Sequence, residues 1–518
     1  MSDVPNTQVD VTRALNFPQG LISVELEGLY GTAILQDMKE IISLYNIYEK
    51  GAEFVKDLNT DYTPADLRYK VAKALVDKEA RFLFSKSPDF WVDVNLGDSK
   101  EQRKQAKEAA SIFQNLVDKV LKKNHVRSGL LKAAKDCFIG KRIAIVYNIN
   151  EDTGIQISFL PSLEFIYDVD PSDANILTKF VAFYNMNDEK TKAAQRIYKK
   201  KYWLDKDFCW YSEEIYDGHG SLIETVYEPT KTKFNFIPAW VIVNDGLTGD
   251  LMGVSEIDAL KDYEKWYSRL ASADMDAERK GMNPVKYTID ASPESTADLS
   301  VSPGAYWDLS SDQNQAQDKS AQVGVLDTPM SYSSALETTL NRVKGAMYEQ
   351  TAVPNVSPEA LKGVVSSGKT LRAIYWDLIV RCEDKMLAWR PALEAMVSCI
   401  IEGVKLYPGA LKFYLKDKTL PDVEYEVRVD NQYPLPDDET EEKQTDLAEV
   451  TAQTMSKKSY MKKWRNLTDD EADEELRQIA LERQILEDSF YEPPITGGSG
   501  DQLEDEEEPE NPEDEIEE

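Results

Sequence analysis

The stretch Val353–Pro391 has the sequence VPNVSPEALKGVVSSGKTLRAIYWDLIVRCEDKMLAWRP. It contains a match to the phosphate-binding loop pattern, and a strongly periodic segment follows that match. The match is G-x-x-x-x-G-K-T over residues 363–370, in which backbone N–H groups surround phosphates while the lysine and threonine reach the terminal phosphates and magnesium. From Leu371 to Trp389, apolar residues recur at three- and four-residue spacing, which predicts a helix. The stretch therefore has two interpretations: part of a nucleotide hydrolase, or a loop hinged onto a long helix with no nucleotide.

A phosphate-binding loop needs a buried strand before it and a helix that starts directly after it. The helix is predicted, but the strand is not, because Pro354 and Pro358 lie among polar residues just upstream and a helical pattern precedes them. No alternation of strands and helices follows, although a nucleotide-binding α/β fold would supply one. The sequence favours the hinge-loop interpretation and keeps the nucleotide hydrolase as an alternative.

The negative charge of the chain is unevenly distributed. Its 518 residues suffice for two to four domains, and an apolar fraction of 42% is ordinary for a folded protein. The net charge of −33 is unusual, and residues 501–518 contribute −12 of it through twelve carboxylates with no lysine or arginine. We expect this tail to be disordered. The remaining −21 is either an ordinary solvated surface or a functional acidic surface, and both stay open.

Cysteine, histidine and hydropathy patterns exclude several classes of protein. The cysteines have apolar neighbours and no metal-binding spacing, so we expect buried free thiols in a reducing compartment; they are Cys137, Cys209, Cys382 and Cys399. Only two histidines occur, His125 and His219, which excludes most catalytic triads and histidine-ligated metals. The first residues lack a signal-peptide pattern and no apolar run approaches ~18 residues, so we expect assembly in the cytosol, without a membrane.

The first half of the chain changes from helical to strand periodicity near residue 140. Apolar spacing predicts helices at Ile34–Phe54, Pro64–Phe84, Glu101–Val120 and Val126–Ala134. Alternating runs separated by turn residues then predict antiparallel strands at Arg142–Ile149, Ile155–Leu160, Leu163–Val169, Thr178–Asn185, Arg196–Leu204, Phe208–Tyr216, Ser221–Glu228 and Phe236–Val243. Two acidic segments within this region, Asn148–Gly154 and Asp168–Asp173, resemble calcium loops only faintly, and we interpret both as hairpin turns.

The second half is dominated by long helical patterns around a short insertion. A helix is predicted at Ser255–Lys280, and another over Tyr332–Met347. Between them, residues 283–329 are rich in turn residues, with strands expected at Val285–Ile289 and Ala305–Leu309. After the opening stretch, whose helix we expect Pro391 to kink, strands are predicted at Leu411–Leu415 and Val423–Val429. A charged helical segment covers Asp437–Phe490, and its second helix is expected to start at a capping box, Thr468-x-x-Glu471.

This order of elements resembles that of the portal proteins of tailed bacteriophages. Residues that carry the resemblance are the small and apolar run Gly253–Leu260, the Pro-Gly-x-aromatic turn within Ser302–Trp307, and the succession of Pro354, Ser367-Gly368 and a Trp-containing helix. The segment Thr454–Ser459, followed by acidic residues, is similar to the start of the family's crown. The resemblance covers about residues 78–490 and rests on the order of parts. Lys369 departs from the family pattern and creates the nucleotide-loop match.

The resemblance implies an α+β, portal-type fold with a helical and β wing, a two-helix stem, a small β clip, a long kinked helix and a helical crown. The implied segments are a wing at 1–253, stem helices at 254–280 and 331–351, and a clip at 281–330. A tunnel loop follows at 352–368, then the long helix and wing return strands at 369–435. The crown is placed at 436–490 and a disordered acidic tail at 491–518.

The resemblance also implies a function that involves no enzyme activity and no cofactor. The chain is expected to form a ring, a dodecamer, at one capsid vertex of the virion, with double-stranded DNA passing through its centre during packaging and ejection. Its implied partners are the terminase large subunit, a head–tail adaptor protein, and the major capsid and scaffolding proteins. The alternatives are the nucleotide hydrolase that uses residues 363–370 and an acidic scaffold or capsid-lining protein without a channel.

Two groups of residues receive roles from the resemblance. In the tunnel loop, Lys362, Val364, Val365 and Lys369 are expected to face DNA, while Gly363, Ser366, Ser367 and Gly368 act as the hinge; alternatively, the two valines pack on a neighbouring subunit. In the clip, Tyr306, Trp307 and Asp308 are placed where the terminase and adaptor dock. For Trp307 the favoured expectation is ordinary clip core.

Overall fold

The structure is a computed structural model that describes residues 25, 28–55, 62–95, 99–186, 196–206, 208–217, 220–247, 249–282, 284–296, 299, 307–311, 320–326, 331–356, 368–415, 419–435, 439–465, 467 and 469–489. It mixes helices and sheets in one chain, as an α+β fold does. The chain divides into two units, Met1–Leu435 and Pro436–Glu518. His219 and the predicted acidic tail lie outside the described residues.

The described part of the first unit begins with the helices α1 (Gly28–Lys50), α2 (Val71–Phe84), α3 (Lys100–Lys123) and α4 (Val126–Gly140). Helix α1 ends earlier than predicted, because Gly51 takes a φ of +84° and donates its N–H to Ile47 O at 2.8 Å, a glycine stop. Helix α3 starts at a complete capping box between Ser99 and Gln102. Helix α4 contacts α1, α2 and α3, which places it inside the unit.

The strands that follow form two antiparallel sheets in nearly consecutive order. One has the order β3-β2-β9, with β2 (Arg142–Asn150), β3 (Gly154–Pro161) and β9 (Ala239–Val243). The other is a five-stranded meander of β4 (Phe165–Asp170), β5 (Asp173–Met186), β6 (Arg196–Asp205), β7 (Phe208–Asp217) and β8 (Leu222–Lys231). Both acidic segments interpreted as hairpin turns do join paired antiparallel strands, so that prediction is confirmed.

A strand near the start of the first unit was not predicted from the sequence. Strand β1 (Asp89–Val94) pairs antiparallel with a strand more than 300 residues away, Tyr425–Asp430, so that Asp89 lies opposite Asp430. Its sequence, DFWVDV, is short and carries two charges, and its partner is far along the chain. The pairing joins the predicted return strand to the N-terminal part of the first unit.

Two long helices enclose a small sheet. Helix α5 (Glu256–Met282) leads to β10 (Val285–Ile289), the short turn α6 (Pro293–Thr296) and β11 (Gln322–Leu326), and α7 (Ser333–Gln350) returns to pack on α5. Strand β10 pairs with β11. The predicted strand Ala305–Leu309 is wrong for residues 307–309, which are not in a strand, while residues 305 and 306 lie outside the described part.

The predicted long helix is interrupted once. Helix α8 (Gly368–Ile374) and helix α9 (Trp376–Leu406) meet at Tyr375, whose N–H still donates to Leu371 O at 3.0 Å. Helix α9 continues through Pro391. It supplies much of the core through Met386, Trp389, Leu393 and their neighbours. A 3-10 helix then covers Pro408–Phe413, and β12 (Tyr425–Asp430) follows.

The predicted strand Leu411–Leu415 is wrong. Residues Pro408–Phe413 form the 3-10 helix, and the N–H groups of Tyr414 and Leu415 both donate to Leu411 O at 2.9 Å. The buried residues are Ala410, Tyr414 and Leu415, which is a helical rather than an alternating spacing. The Pro-Gly pair at its start favours a turn, and this signal outweighed the apolar run.

The described residues of the second unit form three helices: α10 (Glu439–Thr451), α11 (Lys457–Arg465) and α12 (Asp469–Ser489). Helix α11 packs on both others. The Trp464 indole donates to Asp446 at 2.7 Å, Lys463 pairs with the same carboxylate at 2.7 Å, and Lys458 pairs with Asp473 at 2.8 Å. The predicted helical segment is confirmed, although Thr468 of the expected capping box lies outside the described residues.

Candidate functional site

The helix pair α5 and α7 with the small sheet between them is the candidate functional region, and a glycine turn fixes where it begins. Gly253 has a φ of +74°, and a Cβ there would lie 2.5 Å from Lys141 O. Two residues later, Ser255 accepts from the Ile257 N–H at 3.1 Å and donates to Phe138 O at 3.2 Å. The serine therefore caps α5 and ties its first turn to α4.

A polar ladder runs along one face of α5. Its members are Glu264, Ser268, Ser272 and Asp276, which follow each other at four-residue intervals and so share one helix face. Each accepts a backbone N–H from the preceding part of the chain: Glu264 from Ala72 at 2.7 Å, Ser268 from Tyr69 at 3.1 Å, Ser272 from Leu67 at 3.0 Å, and Asp276 from Ala65 at 3.0 Å. The ladder explains why residues 64–70, predicted to be helical, are not in a helix.

Glu264 joins three helices at the top of this ladder. Its two carboxylate oxygens accept from the Ala72 N–H at 2.7 Å, in the first turn of α2, and from the Ala52 N–H at 3.0 Å, just after α1. The side chain has no exposed surface. Burial raises the pKa of Glu264 above its ordinary value, and the two N–H donors oppose that rise. A carboxylate at the start of α2 also suits the helix dipole.

A buried ion cluster fixes the other side of the α5 start. Arg381 Nε of α9 lies 2.8 Å from Glu79 Oε1 of α2, and Arg381 Nη2 contacts Glu256 of α5. Lys385, one turn further along α9, lies 2.6 Å from Glu256 Oε1 and 2.9 Å from Asn244 Oδ1. The buried carboxylates of Glu79 and Glu256 thus balance the two cations, and the half-exposed Asp245 lies 3.7 Å from Arg381 and 3.6 Å from Lys385.

The two carboxyl groups of the ion cluster are shifted in opposite directions. Burial and the charge of Glu256 raise the pKa of Glu79, one of whose oxygens has no hydrogen-bond partner among the described residues. Burial also acts to raise the pKa of Glu256, but Lys385 and Arg381 outweigh it and hold that pKa below its ordinary value. The proton therefore resides preferentially on Glu79 whenever the cluster takes one up.

The stretch Val353–Pro391 lies only partly within the described residues. Helix α7 ends at Gln350, and residues 351–356 form a turn and irregular backbone, so the described residues before the loop contain no strand that could deliver a phosphate-binding loop. The loop residues given roles above, Lys362, Gly363, Val364, Val365, Ser366 and Ser367, lie outside the described residues. Gly368 begins α8, with Lys369 and Thr370 in the same turn.

The small sheet exposes apolar side chains on both faces. The pairing of Tyr287 with Gly324 and of Thr288 with Val323 places Tyr287 and Ile289 on one face and Val323 and Val325 on the other. All four are between 42% and 50% exposed. The Gly324 position allows the Tyr287 ring to cross it, because a Cβ there would lie 2.2 Å from the ring. An apolar sheet open on both sides indicates a contact surface.

One of the three predicted clip residues, Trp307, lies beside this sheet. Trp307 is partly buried, and the Lys286 Nζ of β10 lies 4.9 Å from its ring centroid. Asp308 is exposed, and Tyr306 lies outside the described residues. The structure thus brings Trp307 to the sheet but does not make it a fully buried core residue.

The remaining predictions concern the cysteines, the histidines and the hydropathy of the helices. All four cysteines are buried and free, as predicted, and burial raises the pKa of Cys209 to about 11. His125 lies between α3 and α4 with a φ of +52°. None of the helices in the described part of the chain has the length and hydropathy needed to cross a bilayer. The polar ladder and the ion cluster were not found from the sequence, although the ladder's four-residue spacing was visible there.

Both the sequence and the structure of the chain are similar to those of known proteins. A family model described as phage portal protein, SPP1 Gp6-like, matches residues 32–486. The solved structure "Neck of native GTA particle computed with C12 symmetry" is similar at 11% identity and a TM-score of 0.39, over 82% of this chain and 92% of its own. "Neck of empty GTA particle computed with C6 symmetry" is similar at 11% identity and a TM-score of 0.37, over 76% and 88%. No curated protein sequence matches.

Proposed function

The chain belongs to the phage portal protein family, SPP1 Gp6-like, and we propose that it forms a ring at one capsid vertex through which double-stranded DNA is packaged and ejected. The observation that carries the proposal is the extent of the family match, residues 32–486, which includes α5, the small sheet and α7. The ring is a dodecamer in this proposal. It acts in the virion, after assembly in the host cytoplasm.

We assign the portal segments to the elements of the structure as part of this proposal. The first stem helix is α5 and the second is α7, with the clip at 281–330 between them. The wing is residues 1–253, completed by the return strand β12, and the tunnel loop is 352–368. Helices α10, α11 and α12 form the crown, followed by the acidic tail at 491–518. The polar ladder supports a stem that is fastened to the wing along its length.

The charge of the chain suits a channel in which DNA must slide. Each lysine or arginine that binds a phosphate releases counterions and adds affinity, so a basic wall would hold the duplex. Each subunit carries −33, and acidic walls repel DNA within a Debye length of roughly 8–10 Å. Lys362 of the tunnel loop and Lys369, in the first turn of α8, flank Val364 and Val365, which permits weak contact with the duplex. Gly363, Ser366, Ser367 and Gly368 serve as its hinge.

In this proposal, partner proteins dock on the small sheet of β10 and β11, which is apolar on both faces. Tyr287 and Ile289 face one way and Val323 and Val325 the other, so one face is free for a partner even if the other contacts a neighbouring subunit. Tyr306, Trp307 and Asp308 belong to the same clip. The terminase large subunit during packaging, and the head–tail adaptor afterwards, would bind here. The wing contacts the major capsid and scaffolding proteins.

Imaging of the purified chain tests the proposal directly. Negative-stain electron microscopy is expected to show rings with a central hole, and native mass spectrometry to give a mass near twelve times 58.8 kDa. A scaffold or capsid-lining protein would give particles without a hole, and a nucleotide hydrolase would give a monomer with bound nucleotide. Either result would contradict the portal function.

A further inference from the structure

Helix α9 has an exposed face that no element in the described part of the chain covers. On it lie Trp376, Asp377, Val380, Asp384 and Leu387, which we call the acidic stripe. Their spacings of four and seven residues place them together, opposite the side that packs into the core. Trp376 is 62% exposed, Val380 42% and Leu387 68%. Neither Asp377 nor Asp384 has an ion-pair partner among the described residues, although 60 basic residues are present in the chain.

A groove between α1 and α5 has the opposite charge. It has a volume of about 500 Å³, and we call it the lysine groove after Lys39, Lys50, Lys261 and Lys265, which line it with Ile42. Glu53 and Asp262 also line it, so the basic side chains of the lining outnumber the acidic ones by two. Lys261 pairs with Asp258 at 2.6 Å, whereas the other three lysines have no ion-pair partner in the described part of the chain. Unpaired lysines around one groove are unusual in a chain with an excess of 33 acidic charges.

Helix α9, which carries the acidic stripe, and the lysine groove both adjoin the first turns of α5. Arg381 and Lys385, on the covered side of α9, contact Glu256 at the start of α5. Lys261 and Lys265 follow Glu256 on the same helix, about 8–14 Å further along its axis. Trp266, which is 52% exposed, follows Asp262 of the groove by one turn of α5.

Charge decides how copies of the chain can meet through these surfaces. Two acidic stripes repel each other, and so do two lysine grooves, which disfavours a two-fold dimer through either one. A stripe against the groove of the next copy pairs carboxylates with ammonium groups and buries Trp376, Val380 and Leu387. A contact between two different surfaces of the same chain is heterologous, and it generates a ring when the rotation closes.

We propose that the acidic stripe of one subunit docks into the lysine groove of the next, and that this contact sets the subunit order in the ring. The inference deepens the portal function and rests on it. Asp377 and Asp384, seven residues apart on α9, pair with the unpaired lysines of the neighbour. The apolar residues of the stripe lie between these pairs and exclude water from them. The partner is a second copy of this chain, so neither DNA nor the acidic tail occupies the groove.

A charge-swap experiment on the full chain tests this contact. The variants are Lys39→Glu with Lys265→Glu, Asp377→Lys with Asp384→Lys, and the combination of all four. Each pair of substitutions is expected to raise the protein concentration needed for half-assembly at least tenfold, measured by sedimentation velocity, and the combination to return it to within threefold of the wild type. Lys104→Glu, on the exposed face of α3, is the control for net charge and is expected to assemble normally.

Lysine labelling gives a second measurement that does not depend on the variants folding. Lys39 and Lys265 are expected to be protected from an amine-reactive reagent at least fivefold more in the assembled protein than in the dilute monomer, and Lys104 equally labelled in both. Equal labelling of all three, or charge-swap variants that assemble like the wild type, overturns the contact but leaves the ring intact. Protection lost on deleting residues 491–518 assigns the groove to the tail and overturns it as well. Protection gained only with added duplex assigns it to DNA. A wild type that forms no ring overturns the portal function itself, whatever the variants show.

Discussion

Loss of the Glu264 side chain should destabilise the first unit. Replacing it with alanine leaves the N–H groups of Ala52 and Ala72 buried without an acceptor. We expect the Glu264→Ala variant to lose about 2–5 kcal/mol of unfolding free energy, measured by urea denaturation. Glu53→Ala is the matched control, since that side chain is 83% exposed, and it should change stability by less than about 0.5 kcal/mol. Equal stabilities of the two variants would show that Glu264 does not hold the helices together.

The raised pKa of Glu264 makes part of the stability depend on pH. The folded chain binds this proton more tightly than the unfolded chain does, so the contribution of Glu264 is largest below its ordinary pKa of 4.5 and decreases as pH rises through the higher folded value. Glu264→Gln cannot titrate. The stability advantage of the wild type over this variant should therefore be smaller at pH 7.5 than at pH 5 in urea unfolding. An advantage that grows with pH would contradict the raised pKa.

A substitution of Lys369 distinguishes the two interpretations of the stretch Val353–Pro391. If residues 363–370 bound nucleotide, the lysine would contact the terminal phosphates, and its removal would abolish hydrolysis. We expect purified wild-type protein and the Lys369→Ala variant to show the same background ATP hydrolysis, and both to form rings. Hydrolysis that is present in the wild type and lost in the variant would favour the nucleotide hydrolase instead.

Individual polar contacts were the part of the site that sequence reasoning could not supply. Ser268, Ser272 and Asp276 are ordinary residues for an exposed helix face, and only the extended segment beside them gives them a role. Likewise, Glu79 and Arg381 lie 302 residues apart, and no local pattern links them. The burial of the four cysteines was predictable, because their apolar neighbours already indicated it.

At the scale of elements, the turn into α5 depends on one glycine. Gly253→Ala would place a Cβ 2.5 Å from Lys141 O at a φ of +74°, and we expect it to cost about 2–4 kcal/mol in denaturant unfolding. Gly249→Ala is the matched control, since φ there is +82° but no atom lies within 4 Å of the added Cβ. That variant should lose only about 1–2 kcal/mol, from backbone strain alone. If both lose the same amount, the close packing at Gly253 contributes nothing.

Periodicity predicted the long elements well and the short ones poorly. The ends of α5 and of β10 agree with prediction to within two residues, because a stripe of many apolar positions or a clear alternation defines each. Strand β11 was missed, since QVGVL is brief and its glycine is required only by the Tyr287 ring across the sheet. Strand β1 was missed because its partner, β12, lies in a distant part of the chain.

For the whole molecule, the acidic C-terminal residues should be dispensable for assembly. The family match ends at residue 486, and deletion of residues 491–518 removes thirteen carboxylates with no basic residue. We expect the truncated chain to form the same ring as the full chain in native mass spectrometry. Its solubility should fall, because less net charge remains to keep the particles apart. Truncated protein that stays monomeric would give the tail a part in assembly.

The four-residue ladder on α5 has a mechanical consequence. Helix α5 has 27 residues and therefore a length of about 40 Å, and it is fastened at four successive turns to a strap that leads straight into α2. A force applied at its Met282 end cannot bend α5 away from residues 65–72 without breaking several hydrogen bonds at once. We therefore expect a force applied to the small sheet to be transmitted along α5 to α1, α2 and Glu264.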